Sequence, residues 1–312
     1  MPNAKNSTNP ERVATVNGMT DKLDKAIATA SRIRFAFVEA TVAAKALEAR
    51  HLCGPVAGAA LGEAITAVAL LSLDSASAEE AVMLRMNVSG PLGGVLVEAT
   101  GEGALRGYSN RKVLDELDTR LPVDTTEALG KSGTVQIVTS TPGKILNQAV
   151  LNVNPPLMRY IVARYFNHSQ QVPTACAIRV EAGSGGLISA RGMLAQRMPD
   201  SDLLAFVRVL ECFEGKHLAE RLAEPDAFSK AWLERVGGVL ALPDLRICDT
   251  RPLMFKCRCN RERVLAVLKT LTREELAARI DEGQDITCHM CGHTYSATPE
   301  EIRALLGQPT EA

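Results

Sequence analysis

The residues best equipped for chemistry are two cysteine pairs near the end of the chain, Cys257-Arg258-Cys259 and Cys288-His289-Met290-Cys291, with 28 residues between them. Each pair brings two sulfurs close enough to grip one ion, and the intervening segment is long enough to fold back and join them. Four thiolates make a closed tetrahedral Zn²⁺ site, which leaves no position for substrate and so serves structure. Gly292 directly follows the second pair, where the backbone must curl around a metal without a Cβ in the way. Cys257, Cys259, Cys288 and Cys291 are therefore the expected ligands of Zn²⁺. His289 and His293 flank the second pair and are candidate substitutes, although four sulfurs already complete the shell.

The elements that must hold these sulfurs are short. Asn260 is placed to cap a helix with Val264, Val267, Leu268 and Leu271 at helical spacing. Thr272 and Glu275 form a capping box for a second helix, and Gly283 follows as a stop. A brief strand is expected over 293–297. Thr298-Pro299-Glu300-Glu301 then opens a last helix through Ile302, Leu305 and Leu306. A unit of this size has little core of its own, so metal binding should supply on the order of 10 kcal/mol of its folding free energy. Zinc-bound thiolates stay oxidisable where an oxidant can reach them. Lys256, Arg258, Arg261 and Arg263 place positive charge around the first pair, which favours thiolate. Oxidation to disulfides would eject the metal and remove the unit's support. On spacing alone an inert structural ribbon and a redox switch both remain open.

The pattern Cys-x-Cys, about thirty residues, Cys-x-x-Cys resembles that of the Hsp33 family of redox-regulated holdase chaperones. The likeness extends to 255–263 (Phe-Lys-Cys-Arg-Cys-Asn-Arg-Glu-Arg) and 268–271 in the same unit. Upstream it includes Gln171-Val172-Pro173-Thr174, Gly192-Met193-Leu194, Met198-Pro199 and Gly90-Pro91-Leu92, and it covers most of the chain from about residue 30. The resemblance implies an ATP-independent holdase without catalytic turnover. In the reduced form four cysteines would hold Zn²⁺. Oxidation through sulfenate chemistry would give Cys257–Cys259 and Cys288–Cys291 disulfides, melt the switch and expose an apolar surface to unfolding client proteins. It also implies a monomer when reduced and a homodimer when oxidised. Two other classes compete: a constitutive zinc-ribbon interaction module, and a thiol–disulfide oxidoreductase using Cys288 and Cys291. The second would need a strand before the motif and a long helix directly after it, where Gly292 and Pro299 intervene.

The rest of the chain frames this unit. Its 312 residues suit about two domains, and 46% hydrophobic content suffices for a core. A net charge of −1, with Glu274, Glu275, Asp281, Glu282 and Asp285 in the cysteine-bearing unit, argues against nucleic-acid binding. No signal peptide is visible, and the longest apolar run, 64–71, is well short of the roughly 18 residues that cross a bilayer. No membrane association and a cytoplasmic location are expected. Cys53, Cys176, Cys212 and Cys248 read as ordinary buried or half-buried thiols.

The expected fold is α+β: a mixed N-terminal domain with antiparallel strands and packed helices, a helical linker, and a small C-terminal zinc-binding domain. The boundaries are a flexible leader at 1–28, the N-terminal client-binding domain at 29–200, the linker at 201–255 and the switch at 256–312. Alternation in 32–37 puts Ile33, Phe35 and Phe37 on one face of a half-buried strand. Helices are expected over 41–51, 55–73 and 156–167, and a meander over 84–88, 95–99 and 105–108. Further strands fall at 134–140, 148–153, 177–181 and 187–193. Gly183-Ser184-Gly185-Gly186 lacks the Lys-Ser/Thr of a phosphate loop and reads as a hairpin turn. In the linker, Leu203, Leu204, Val207 and Leu210 form an apolar helical face, followed by Leu218, Leu222, Phe228, Trp232 and Val236. The resemblance gives this stretch the role of covering the apolar sheet.

Overall fold

The computed structural model describes residues 20–279 and 283–306, the side chains of Lys216 and Val264 excepted. In order, the first elements are β1 (Lys22–Ala28), β2 (Ile33–Glu39), α1 (Thr41–His51), α2 (Pro55–Leu71), β3 (Ala81–Val88), β4 (Gly94–Thr100) and β5 (Ala104–Ser109). There follow α3 (Asp115–Asp118), α4 (Thr126–Leu129), β6 (Gly133–Thr141), β7 (Lys144–Val153), α5 (Met158–Arg164) with a π-turn over Tyr165–Ser169, β8 (Thr174–Gly183) and β9 (Gly186–Arg197). The remainder is α6 (Leu203–Glu214), α7 (Lys216–Arg221), α8 (Lys230–Val239), β10 (Arg246–Pro252), β11 (Met254–Phe255), α9 (Arg261–Leu268), α10 (Arg273–Ala277), β12 (Gln284–Thr287), β13 (Thr294–Ala297) and α11 (Pro299–Leu305).

Helix α2 explains the layering. Nearly every residue from Val56 to Leu71 is buried, so it has no solvent face and must lie between layers. On one side lies a five-stranded sheet in the order β10-β1-β2-β9-β8, on the other a six-stranded sheet in the order β11-β5-β4-β3-β6-β7. The 3–4–5 meander and the β8–β9 hairpin, closed between Gly183 and Gly186, pair as the sequence implies.

Three expectations about the strands change. Lys22–Ala28, assigned to a flexible leader, forms strand β1 between β2 and β10; residues 1–19 lie outside the described residues. Strand β2 is buried on both faces rather than one. Ala36 and Val38 enter the core around α2, whereas Ile33, Phe35 and Phe37 enter a second core beneath α6–α8. Alternate side chains of a strand point to opposite faces, and the outer face is closed by a helical layer that begins only at Leu203. Finally, the 201–255 stretch has its helices but also contributes β10, which pairs antiparallel with β1.

The helical layer packs by a different stripe from the helical face expected of Leu203, Leu204, Val207 and Leu210. Phe206 and Val209 face inward, while Leu203, Leu204 and Val207 are 56%, 70% and 40% exposed. Trp232 sits at the centre, edge-on to Phe37 at 5.7 Å and to Phe228 at 5.1 Å, and its indole Nε1 donates to the Arg221 carbonyl at 2.9 Å. From β9, buried Arg191 pairs with Glu39 at 2.7 Å and donates to the carbonyls of Leu222 and Glu224. Cys176 is buried and Cys53 and Cys212 are half-buried as expected, but Cys248, on the outermost strand β10, is exposed. No helix among the described residues is long and apolar enough to cross a membrane.

Candidate metal centre

The C-terminal unit has a small core of its own, Leu268, Leu276, Ala297, Ile302 and Leu306, while Val267 of the expected apolar stripe is 54% exposed. The local signals behave as the sequence implies. The Asn260 side chain accepts from the Arg263 amide at the start of α9. Thr272–Glu275 and Thr298–Glu301 both form reciprocal capping boxes.

Cys257 and Cys259 lie in extended chain between β11 and α9; Cys288 and Cys291 lie in the tight turn that joins β12 to β13. Within that turn the amides of Cys291 and Gly292 donate to the Cys288 carbonyl at 3.3 and 2.8 Å, and the Cys288 amide donates to His293 O at 2.9 Å. Gly292 has φ +69°, and a Cβ there would come within 2.5 Å of the Arg50 carbonyl. Glycine is needed both for the turn and for its approach to α1.

The four sulfurs lie within 4.8 Å of one another and none is in a disulfide. Cys257 Sγ is 3.9 Å from Cys288 Sγ, and Cys259 Sγ is 3.4 Å from Cys291 Sγ. Tetrahedral metal–sulfur bonds of about 2.3 Å place sulfurs about 3.8 Å apart, so this donor set fits one four-coordinate ion. His289 and His293 do not join the group. The His289 ring lies 6.0 Å from that of Tyr108, and His293 accepts from Arg50 Nη1 at 3.5 Å. Burial pushes the thiols of Cys288 and Cys291 up. Burial opposes ionisation of Cys257 too, but the Cys259 amide and the Arg106 guanidinium outweigh it and bring this thiol down.

The cation that reaches a sulfur is not one of those adjacent in sequence. Lys256 is paired with Glu102 at 3.3 Å, Arg258 with Glu98, Arg261 with Glu301 at 2.6 Å, and Arg263 donates to the Arg258 carbonyl. Instead Arg106, on β5, sits with Nη1 3.9 Å from Cys257 Sγ. Its Nε and Nη2 are held by the Glu98 carboxylate at 2.9 Å each. His51, at the end of α1, donates from Nε2 to the Gly107 carbonyl at 2.9 Å, while the Gly107 amide donates to Met290 O at 3.1 Å. The metal unit is thus seated on the end of α1 and the edge of β5. Only the in–out alternation of β5 hinted that Arg106 faces outward, and nothing local indicated what it faces. The second cysteine pair sits in a strand–turn–strand hairpin, not directly before the long helix that the oxidoreductase reading would need.

This architecture defines a mixed α+β protein carrying a C-terminal four-cysteine group that can hold a metal ion. A model of the Hsp33 protein family matches residues 21–298. The 33 kDa chaperonin of Geobacillus kaustophilus is 30% identical over 294 residues, spanning 92% of this chain and 98% of that one. The 33 kDa chaperonin of Synechocystis is 31% identical over 299 residues, 93% and 97% of the two chains. The crystal structure of the 33 kDa chaperonin (Hsp33 homolog) from Thermotoga maritima shares the fold at a TM-score of 0.78 and 23% identity, covering 93% of this chain and 98% of its own. The chain belongs to the Hsp33 family of chaperones.

Proposed function

We propose that this protein is a redox-regulated, ATP-independent holdase of the cytoplasm whose resting form carries Zn²⁺ on Cys257, Cys259, Cys288 and Cys291. The observation that carries the reading is the gathering of four unpaired thiols within 4.8 Å on a unit with a small core. Bound Zn²⁺ would supply four bonds that hold thiolates together and thereby stabilise the fold of residues 256–312. The Cys259 amide and Arg106 favour thiolate at Cys257, the state that attacks peroxide.

Each thiolate pair gives up two electrons as its S–S bond forms. Two peroxides accept the four electrons, take four protons and leave as four waters, and one metal ion is set free. The pairing Cys257–Cys259 and Cys288–Cys291 follows family resemblance; in the reduced arrangement each sulfur is also close to its counterpart in the other pair. With those bonds lost, the segment 256–312 gives way. The layer of 201–255 over Phe35 and Phe37 then loosens, and apolar surface becomes available to unfolding clients. The released form dimerises. No turnover is involved, so the protein acts as a binder and not an enzyme.

Zinc content and suppression of light scattering by a thermally unfolding client, measured before and after peroxide at heat-shock temperature, test this. The expected result is loss of about one zinc per chain with a gain in suppression, both reversed by reductant. Peptide mapping of the oxidised chain reads the disulfide pairing. Zinc retained, with no change in suppression, would make the site an inert ribbon and the protein a constitutive interaction module.

A further inference from the structure

We propose that the outer edge of β5 is a strand-addition site for extended client segments, kept shut in the reduced chain by residues 253–258. The proposal rests on the release of the metal unit described above and names where a client segment enters. Strand β5 has β4 on one side only, so its other edge presents backbone groups that must find partners.

Apart from His51 and Lys112, whose ammonium donates to Ser109 O at the end of the strand, the partners that the structure gives this edge come from the C-terminal part of the chain. Met254–Phe255 pairs parallel with Ala104–Leu105. The Met254 amide donates to Gly103 O at 2.9 Å, the Lys256 amide to Leu105 O at 3.1 Å, and the Gly107 amide to Met290 O at 3.1 Å. A two-residue strand held this way is short, and the chain immediately after it carries the metal ligands. Loss of the metal unit removes the Met290 contact and the anchor on which the short strand depends.

What occupies the edge shows what it accepts. Leu253 is buried and Phe255 packs against the main core, with the Arg50 guanidinium 5.7 Å from the Phe255 ring centre. On the other side of the strand Lys256 meets Glu102 and Arg258 meets Glu98. Glu98 and Glu102 belong to β4 and the β4–β5 turn, so both carboxylates remain after release. The edge therefore fits an extended, apolar segment followed by alternating basic residues, bound through main-chain hydrogen bonds, with side-chain pockets giving preference. Such segments are buried in folded proteins and become available when those proteins unfold.

The test uses the full chain and a fluorescein-labelled peptide of residues 250–259 carrying Cys257→Ser and Cys259→Ser. Fluorescence anisotropy should show binding to the peroxide-treated, zinc-released chain at least about tenfold tighter than to the reduced, zinc-loaded chain. Methylating the peptide amides at Met254 and Lys256 removes two donors and should weaken binding about tenfold. Glu102→Gln should weaken it severalfold, and heat-unfolded citrate synthase should compete. Equal binding of the methylated peptide, equal binding to the reduced chain, or no binding to the released chain would overturn the proposal. Zinc release and light scattering are read on the same samples. If neither changes, the switch reading fails and the edge site falls with it; if both change without the peptide discrimination, only the edge site falls.

Discussion

At the residue scale, long-range partners decide how ordinary side chains behave. Arg106 is one arginine on a strand, but Glu98 fixes it in a forked pair and points its remaining nitrogen at Cys257. Glu63 is a second case. It stands on α2 among apolar neighbours, with the Thr125 hydroxyl donating to it at 3.1 Å. Burial pushes its carboxyl from the ordinary 4.5 up to about 7, against the opposing effect of Thr125, with Asp124 adding to the rise. A carboxyl raised in the fold keeps its proton there after the unfolded chain has lost it. Stability contributed by this group is therefore present below pH 4.5 and lost as pH rises to about 7. Glu63→Gln removes that loss: the variant should exceed the parent by about 1–3 kcal/mol at pH 8, with the gap shrinking toward pH 5. Urea midpoints of parent and variant, compared at each pH in reductant, measure it; a gap independent of pH would mean that Glu63 does not titrate in this window.

At the element scale, the α6–α8 layer separates the outer face of β2 from water. Its cohesion is concentrated at Trp232, which is 0% exposed and lies against Phe37 and Phe228. Removing a buried tryptophan side chain typically costs about 3–5 kcal/mol, and here the loss falls on the layer itself because α2 and the six-stranded sheet pack elsewhere. Trp232→Ala should therefore raise dye binding to apolar surface in the reduced, zinc-loaded chain. It should also give partial suppression of client aggregation without peroxide. Raised dye binding with unchanged aggregation would separate the sheet face beneath the layer from client capture. The exposed Leu203, Leu204 and Val207 belong to the same helix as the inward Phe206 and Val209, so the apolar surface of α6 extends beyond its contact with the sheet.

At the scale of the whole molecule, the core around α2 and the core of the C-terminal unit are of very unequal size. The core around α2 joins both large sheets, whereas the C-terminal core has five buried residues. The smaller one is seated against Arg50, His51 and Gly107, and on the proposed reading bound metal is its other support. Stripping metal with a strong chelator in reductant should therefore be local. Amides of α9–α11 and of β12–β13 should exchange with deuterium within the shortest labelling time, while those of α2 stay protected. Loss of protection in α2 at the same chelator concentration would show that the two cores unfold as one.

The sequence by itself determined the two cysteine pairs as candidate ligands, because local spacing brings together the sulfurs within each of Cys-x-Cys and Cys-x-x-Cys, and the fold brings the two pairs to one point. It also determined the caps at Asn260, Thr272 and Thr298, the meander of β3–β5 and the limits of α1, since each follows from contacts among near neighbours. Tertiary structure decided what depends on distant partners. Lys22–Ala28 is a strand because β2 and β10 flank it, not because its own polar sequence favours one. Lys256 and Arg258 are drawn to Glu102 and Glu98, leaving Arg106, 151 positions from Cys257, to reach the sulfur. Charge and hydrogen-bond partners separated by that much chain are selected by packing, and local periodicity carries no record of them.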